Sequence, residues 1–282
     1  MRQLIINKNP DKSGLIQIEG KDFRYLRQVL RVKVGDMVNL RLPDGSLQNS
    51  TVCKIDDSAK KITLQVCALR QAQGPQNDVV PEPVEGPSIE FTLFQFIPKP
   101  QKLELIVRQA TECGVKNIIP VMSEYTQKSS IQAMQGSKLE RLERIVREAR
   151  QQSGSPIETK VFEPVTVEQA VEIWNKMKED AGGEEKAAGF VLSERAVDNG
   201  GRAVAEAVAG PFPSTSSGQA KLRDPGTVSI FCGNEGGISP DELELLTKKA
   251  LLRPLHFSVN ILRCETAALY GIAVVQSAII GI

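Results

Sequence analysis

The run Val228-Ser229-Ile230-Phe231-Cys232 leads straight into Gly233-Asn234-Glu235-Gly236-Gly237-Ile238-Ser239, and Pro240 follows. A short apolar run bounded by turn residues reads as a buried strand. The glycines let the backbone reach positive φ and approach a ligand with no Cβ in the way. Ser239 is placed to cap a helix, Pro240 suits its first turn, and Glu242 completes a capping box. Strand, glycine loop and helix start in direct succession define one βα unit. Free N–H groups where a loop enters a helix make a ready binding edge.

The same alternation runs through the chain from residue 89. A strand is predicted over 90–96, then a helix with Leu103, Ile106, Val107 and Ala110 on one face, ended by Gly114. A strand over 118–121 follows, then a helix opened by Ser137 and Glu140, with Leu139, Leu142, Val146 and Ala149 facing inward. The outer face of that helix carries Arg141, Arg144, Arg147 and Arg150. The next helix, over 167–177, buries Val167, Ala170, Val171 and Trp174. A strand over 189–192, a short helix near 203–208, the strand over 228–232, a helix over 240–250, a short strand near Leu255 and a final helix complete the pattern. Alternating strands and helices imply an α/β domain with a mostly parallel sheet. Residues 267–282 are apolar but short for a membrane span and interrupted by Gln276, which suits a core or dimer-facing helix.

Residues 1–70 read differently. Short strands are predicted over 3–6, 15–18, 37–42, 50–55 and 62–67, with one helix over 22–30 and a turn at Asp44-Gly45. That pattern suggests a small β-barrel. This stretch carries 13 Lys and Arg against 7 Asp and Glu, whereas the rest of the chain carries 22 against 27. A basic segment on an acidic body suggests contact with a polyanion, although ordinary surface charge would look the same. Residues 71–88 hold four prolines and two glycines and read as a linker between domains 1–70 and 89–282. Residues 210–226, with Pro211, Pro213, the Ser214-Thr215-Ser216-Ser217-Gly218 run and Pro225, read as a loop insertion, with an RNA-facing lid as the alternative.

Cysteine and histidine usage narrows the chemistry. Cys53, Cys67, Cys113, Cys232 and Cys264 are odd in number, widely spaced and contain no C-x-x-C pair. That argues against a disulfide framework or a zinc site and points to a reducing cytoplasm. His256 is the one histidine, so no multi-histidine metal site is expected. The start Met1-Arg2-Gln3 has no long apolar core, so no signal peptide is expected.

A second stretch, Ile261-Leu262-Arg263-Cys264-Glu265-Thr266-Ala267-Ala268, begins 24 residues after Gly237 and opens the last helix. The two stretches together resemble the SPOUT methyltransferases, and more closely the bacterial 16S ribosomal RNA (uracil-N3)-methyltransferase family. Asn234 stands where that family usually has proline, Cys264 where it has threonine, and Phe257-Ser258-Val259-Asn260 replaces a leucine-glycine-x-arginine lead-in. Matching segments also run from Lys102-Leu103-Glu104 to Gly114-Val115 and through Glu148-Ala149-Arg150-Gln151-Gln152-Ser153-Gly154.

The resemblance implies a trefoil-knotted domain that binds S-adenosylmethionine, a PUA-like N-terminal barrel and a homodimer. The implied reaction is methylation of uridine N3 in 16S rRNA of the small ribosomal subunit, with no metal. It assigns cofactor binding to Leu192, Ser193 and Glu194, to Gly233, Asn234, Glu235, Gly236, Gly237 and Ile238, and to Phe257, Ser258, Val259, Ile261, Leu262 and Thr266. Glu235 is the candidate general base and Arg263 the candidate stabiliser of a uracil anion; purely structural roles compete with both. RNA contact falls to Arg24, Arg27, Arg31, Lys33, Arg147 and Arg150, for which a solvated helix face is the alternative. Two rival activities stay open: methylation of a ribose 2′-hydroxyl, and a non-catalytic ribosome-assembly role.

Overall fold

The computed structural model of this chain describes residues 3–66, 89–132, 134, 137–194, 226–257 and 260–280. It separates into two units, Met1–Val84 with Arg150–Pro156, and Glu85–Ala149 with Ile157–Ile282. The predicted linker over 71–88, the short helix near 203–208 and all of the 210–226 stretch but Gly226 lie outside the described residues.

The first unit is a five-stranded mixed sheet. Its strands are β1 (Gln3–Ile5), β2 (Leu15–Ile18), β3 (Met37–Arg41), β4 (Leu47–Asp56) and β5 (Lys61–Val66), in the order β1-β3-β4-β5-β2. β1 lies parallel to β3 and the other pairs are antiparallel. Alternate side chains Leu4, Leu40, Ile62 and Leu64 are buried with Leu26 in one core, as a sheet with one covered face requires. The helix predicted over 22–30 starts two residues earlier, as α1 (Gly20–Arg24), and continues as a π-helical turn over Tyr25–Val29. Gln3 is a buried polar anchor: it accepts from Arg41 Nε at 2.8 Å and donates to the carbonyls of Arg150 and Ser155 at 3.0 and 3.2 Å.

The second unit holds β6 (Glu90–Phe96), β7 (Asn117–Met122), β8 (Lys160–Val161), β9 (Val165–Thr166), β10 (Ala187–Leu192), β11 (Thr227–Cys232) and β12 (Arg253–Leu255). The order is β12-β10-β11-β6-β7-β8, with β9 also pairing β7, and every pair is parallel. Its helices are α2 (Pro100–Glu112), α3 (Lys128–Gln132), α4 (Ser137–Ser153), α5 (Val167–Asp180), α6 (Pro240–Lys248) and α7 (Cys264–Ile280). The predicted alternation of strand and helix is therefore present as a parallel α/β layer.

Two apolar cores cover the sheet, one on each face. Phe91 and Leu93 of β6, Phe190 of β10 and Ile230 of β11 share a core with α2, α4 and α7. Phe94, Phe96, Val191 and Phe231, which alternate with them, share the other with α5 and α6. Burial on both faces explains why these strands read as continuous apolar runs. In the second core Phe94 and Phe231 stack with centroids 4.1 Å apart, and Trp174 Nε1 donates to Ala250 O at 3.1 Å. No helix among the described residues is long and apolar enough to cross a membrane.

Candidate functional site

A parallel sheet delivers all its strand ends to one edge, and ligands of such sheets sit beyond the carboxyl ends. Here β12, β10 and β11 are neighbours, so residues following them meet there. Ser193 N–H donates to Leu255 O at 2.9 Å, and His256 Nδ1 lies 3.2 Å from Ser193 O, holding two of these ends side by side. The result is a cleft of about 210 Å³, walled by Leu192 to Glu194, by Gly233, Asn234 and Gly236 to Ile238, and by Asn260 to Leu262. Leu243, Phe257 and Ile261 are among its apolar lining residues, and the glycine loop forms another part of the wall. Phe257 is held edge-on by Tyr270 of α7, with centroids 4.8 Å apart.

The loop has its shape for local reasons. Gly237 has φ +79, and a Cβ there would stand 3.2 Å from Glu194 Oε1; this is a conformation that favours glycine. Asn234 is buried and fully used: its carboxamide oxygen accepts from Gly236 N–H at 2.9 Å, and Nδ2 donates to Ser123 Oγ at 3.1 Å. Beneath the loop the buried Gln95 side chain donates to the carbonyls of Phe96, Cys232 and Gly233 at 2.9, 3.2 and 3.1 Å. Downstream, Ser239 Oγ accepts from Glu242 N–H while Glu242 Oε2 accepts from Ser239 N–H, closing the predicted capping box of α6.

A charged cluster borders this cleft. Glu235 Oε1 accepts from the Lys99 N–H at 3.2 Å, at the N-terminus of α2. Lys102 Nζ lies 3.5 Å from Glu235 Oε1, 3.2 Å from Glu265 Oε2 and 3.9 Å from Cys264 Sγ. Burial pushes the Glu265 carboxyl up, but hydrogen bonds from its own backbone N–H, Cys264 and Lys102 outweigh it and hold it below the usual carboxylate range. Burial lowers Lys102, yet its partners Glu265, Cys264 and Glu235 leave the ammonium above its ordinary value. Cys264, on the cleft wall, is pushed up to about 12, first by burial and then by the adjoining carboxylates.

The chain matches the RNA methyltransferase domain family over residues 85–276. It belongs to that family. Among similar proteins, Ribosomal RNA small subunit methyltransferase E of Rickettsia conorii is 28% identical over 252 residues, covering 89% of this chain and 85% of the relative. The protein of that name from Aquifex aeolicus is 29% identical over 192 residues, 68% of this chain and 70% of the relative. The crystal structure of Ribosomal RNA small subunit methyltransferase E from Neisseria gonorrhoeae bound to S-adenosyl methionine superposes with a TM-score of 0.68 at 21% identity. It covers 98% of this chain and 97% of that one, a likeness of fold.

Within this RNA methyltransferase the cleft gathers most residues that the sequence nominated for a cofactor. Leu192, Ser193, Glu194, Gly233, Asn234, Gly236, Gly237, Ile238, Phe257, Ile261 and Leu262 line it. Glu235 turns toward α2, and Thr266 is exposed on the first turn of α7; neither is a lining residue. Ser258 and Val259 lie outside the described residues. Arg263 is exposed between the lining residues Leu262 and Cys264, and among the described residues it forms no ion pair. Glu265 pairs with Lys102 instead.

The cleft also holds Tyr125, Leu243 and His256, which sequence reasoning did not nominate. Tyr125 packs on Gly236, where a Cβ would come within 2.8 Å of the Tyr125 Cβ. Of the residues assigned to RNA, Arg24, Arg31 and Lys33 are exposed. Arg27 is engaged in a two-pronged pair with Asp57 at 2.9 and 2.8 Å and donates to Val32 O at 3.2 Å. Arg147 and Arg150 on α4 are half-buried.

Proposed function

We propose that this chain transfers a methyl group from S-adenosylmethionine to N3 of a uridine in 16S rRNA of the small ribosomal subunit. The observation that carries this reading is the cleft where the glycine loop after β11 meets the segment entering α7. S-adenosylmethionine supplies an electrophilic methyl on a sulfonium and needs no metal. The cleft suits it chemically: the glycine loop brings main chain to the wall, where groups not used inside the loop can meet the edge of an adenine, and Ile238, Leu243 and Phe257 offer apolar surface to its faces. The glycines keep that wall thin, since side chains at Gly236 and Gly237 would meet Tyr125 and Glu194.

The chain's own task is to hold the acceptor in line, exclude water and manage one proton. Uracil N3 must lose its proton before or during attack. Arg263, exposed at the cleft and free of Glu265, stabilises the anion that develops on the base. The Glu235 carboxylate, occupied by the Lys99 N–H and Lys102, has an ordering role in the loop. Arg24, Arg31 and Lys33 of the basic first unit contact the RNA backbone, and Arg27, Arg147 and Arg150 are the further cations assigned to RNA. The finer architecture belongs to the same proposal: a trefoil knot through the C-terminal segments, a PUA-like first domain over 1–70, a linker over 71–88, the methyltransferase domain over 89–282, and a cytoplasmic homodimer.

The test is direct. The purified chain is incubated with labelled S-adenosylmethionine and either 16S rRNA or small subunits, and the RNA is digested for mass spectrometry. Recovery of 3-methyluridine supports the reading. A methylated ribose would move the assignment to the 2′-hydroxyl, and absence of cofactor binding by calorimetry would leave an RNA-binding assembly factor.

A further inference from the structure

The two segments that wall the cleft each send one carboxylate away from the cavity and toward the same cation. Glu235 belongs to the glycine loop and Glu265 to the first turn of α7. Both converge on Lys102 in the first turn of α2, a helix that contributes no lining residue to the cleft. The side chain of Glu265 is 15% exposed and that of Lys102 29% exposed. The Lys99 N–H adds a second hold on Glu235 from the same helix end.

We propose that Lys102 is a positioning residue that pins the glycine loop and the start of α7 to one point on α2, and so sets the width of the cleft. Two carboxylates already neutralise its ammonium, which suits a clamp and leaves little charge to offer a substrate. Neither segment has a continuous helix or strand tying it to the other: α6 and β12 intervene, and a side-chain bridge shortens that route. Bringing both arms to one rigid helix fixes their spacing before any ligand arrives, which lowers the ordering cost of binding. The link to cofactor affinity rests on the methyltransferase reading above; the link to loop order does not.

The experiment is amide hydrogen exchange on the ligand-free wild type, Lys102→Met and Lys102→Arg, with cofactor affinity measured alongside by calorimetry. Lys102→Met is expected to speed exchange in residues 233–238 and 261–266 together, and to weaken S-adenosylmethionine binding by about threefold to tenfold, as loss of a half-exposed charge-assisted contact allows. Lys102→Arg is expected to restore both. Unchanged exchange in the two segments, or an equal rise across the whole second unit, would overturn the clamp. If Lys102→Met does not fold, Glu235→Gln and Glu265→Gln carry the test. Each must loosen its own segment, and wild-type exchange in both variants overturns the proposal. A wild type that binds no cofactor overturns the methyltransferase reading while the exchange result still decides the clamp.

Discussion

Asn234 Nδ2 donates to Ser123 Oγ across 3.1 Å, anchoring the glycine loop to the turn that follows β7. The same carboxamide accepts from Gly236 N–H, so one side chain supplies both the turn and its tether. A proline at this position would fix the backbone by its ring; asparagine reaches a fixed loop by hydrogen bonds instead. Asn234→Ala removes the bonds to Gly236 N–H, Ser123 Oγ and Ile97 O, leaving Ser123 only its Thr126 partner, and is expected to cost about 1–3 kcal/mol. Urea unfolding measures it, and Asn234→Asp should recover part of the loss, because a carboxylate still accepts from Gly236 N–H but cannot donate to Ile97 O. A midpoint unchanged in both variants would show that the loop holds its shape without Asn234.

Arg263 is exposed, next in sequence to the lining residues Leu262 and Cys264. If it stabilises charge that develops only during transfer, Arg263→Ala lowers kcat by about tenfold to a hundredfold, the worth of one charge-assisted contact. The KM for S-adenosylmethionine should barely change. Steady-state methylation assays separate the two, and a wild-type kcat in the variant would remove Arg263 from the chemistry.

Gly189 lies on β10 under the indole of Trp174. A Cβ there would sit 2.5 Å from Leu252 Cδ2 and 2.6 Å from Trp174 Cζ2, both in the packed second core. Gly189→Ala is therefore expected to destabilise the second unit by about 1–3 kcal/mol through overpacking. Denaturant unfolding followed at Trp174 gives the value; wild-type stability would mean that the indole shifts freely.

The cluster around Lys102 has a pH signature. Glu265 titrates below its ordinary value in the folded chain, so its contribution is present above the unfolded carboxylate pKa and fades as pH falls through the lower folded value. Lys102 is raised, so its contribution persists at neutral pH and is lost only as pH rises through that raised value. Glu265→Gln should lower the unfolding midpoint at pH 7 and approach the wild type as acid protonates the carboxylate. A gap between the two proteins that stays constant down to acid pH would sink this account.

What the sequence revealed depended on range. The cap formed by Ser239 and Glu242 was legible because its partners lie three residues apart and form a local pattern. The Thr166 and Gln169 box carries the same three-residue spacing, a signal equally present in the chain. The π-helical turn at Tyr25–Val29 has no such signature, since its periodicity differs from α by less than a residue per turn. β8 and β9 are two residues each, too short for any alternation to register. The cleft residues on the two C-terminal stretches were readable as motifs. Lys102 was not readable as their partner: its contact with Cys264 spans 162 positions, and only the packing of α2 brings them together. The same holds for Tyr125, whose place against Gly236 is a tertiary fact.

The chain has a single tryptophan, and it sits wholly within the second core, its indole N–H bonded to Ala250. Tryptophan emission of this molecule therefore reads out one half of one unit. A melt followed by tryptophan emission will see the face built from α5 and α6 come apart and will be blind to fraying of the basic sheet, where Tyr25 is the chromophore that an optical experiment must use.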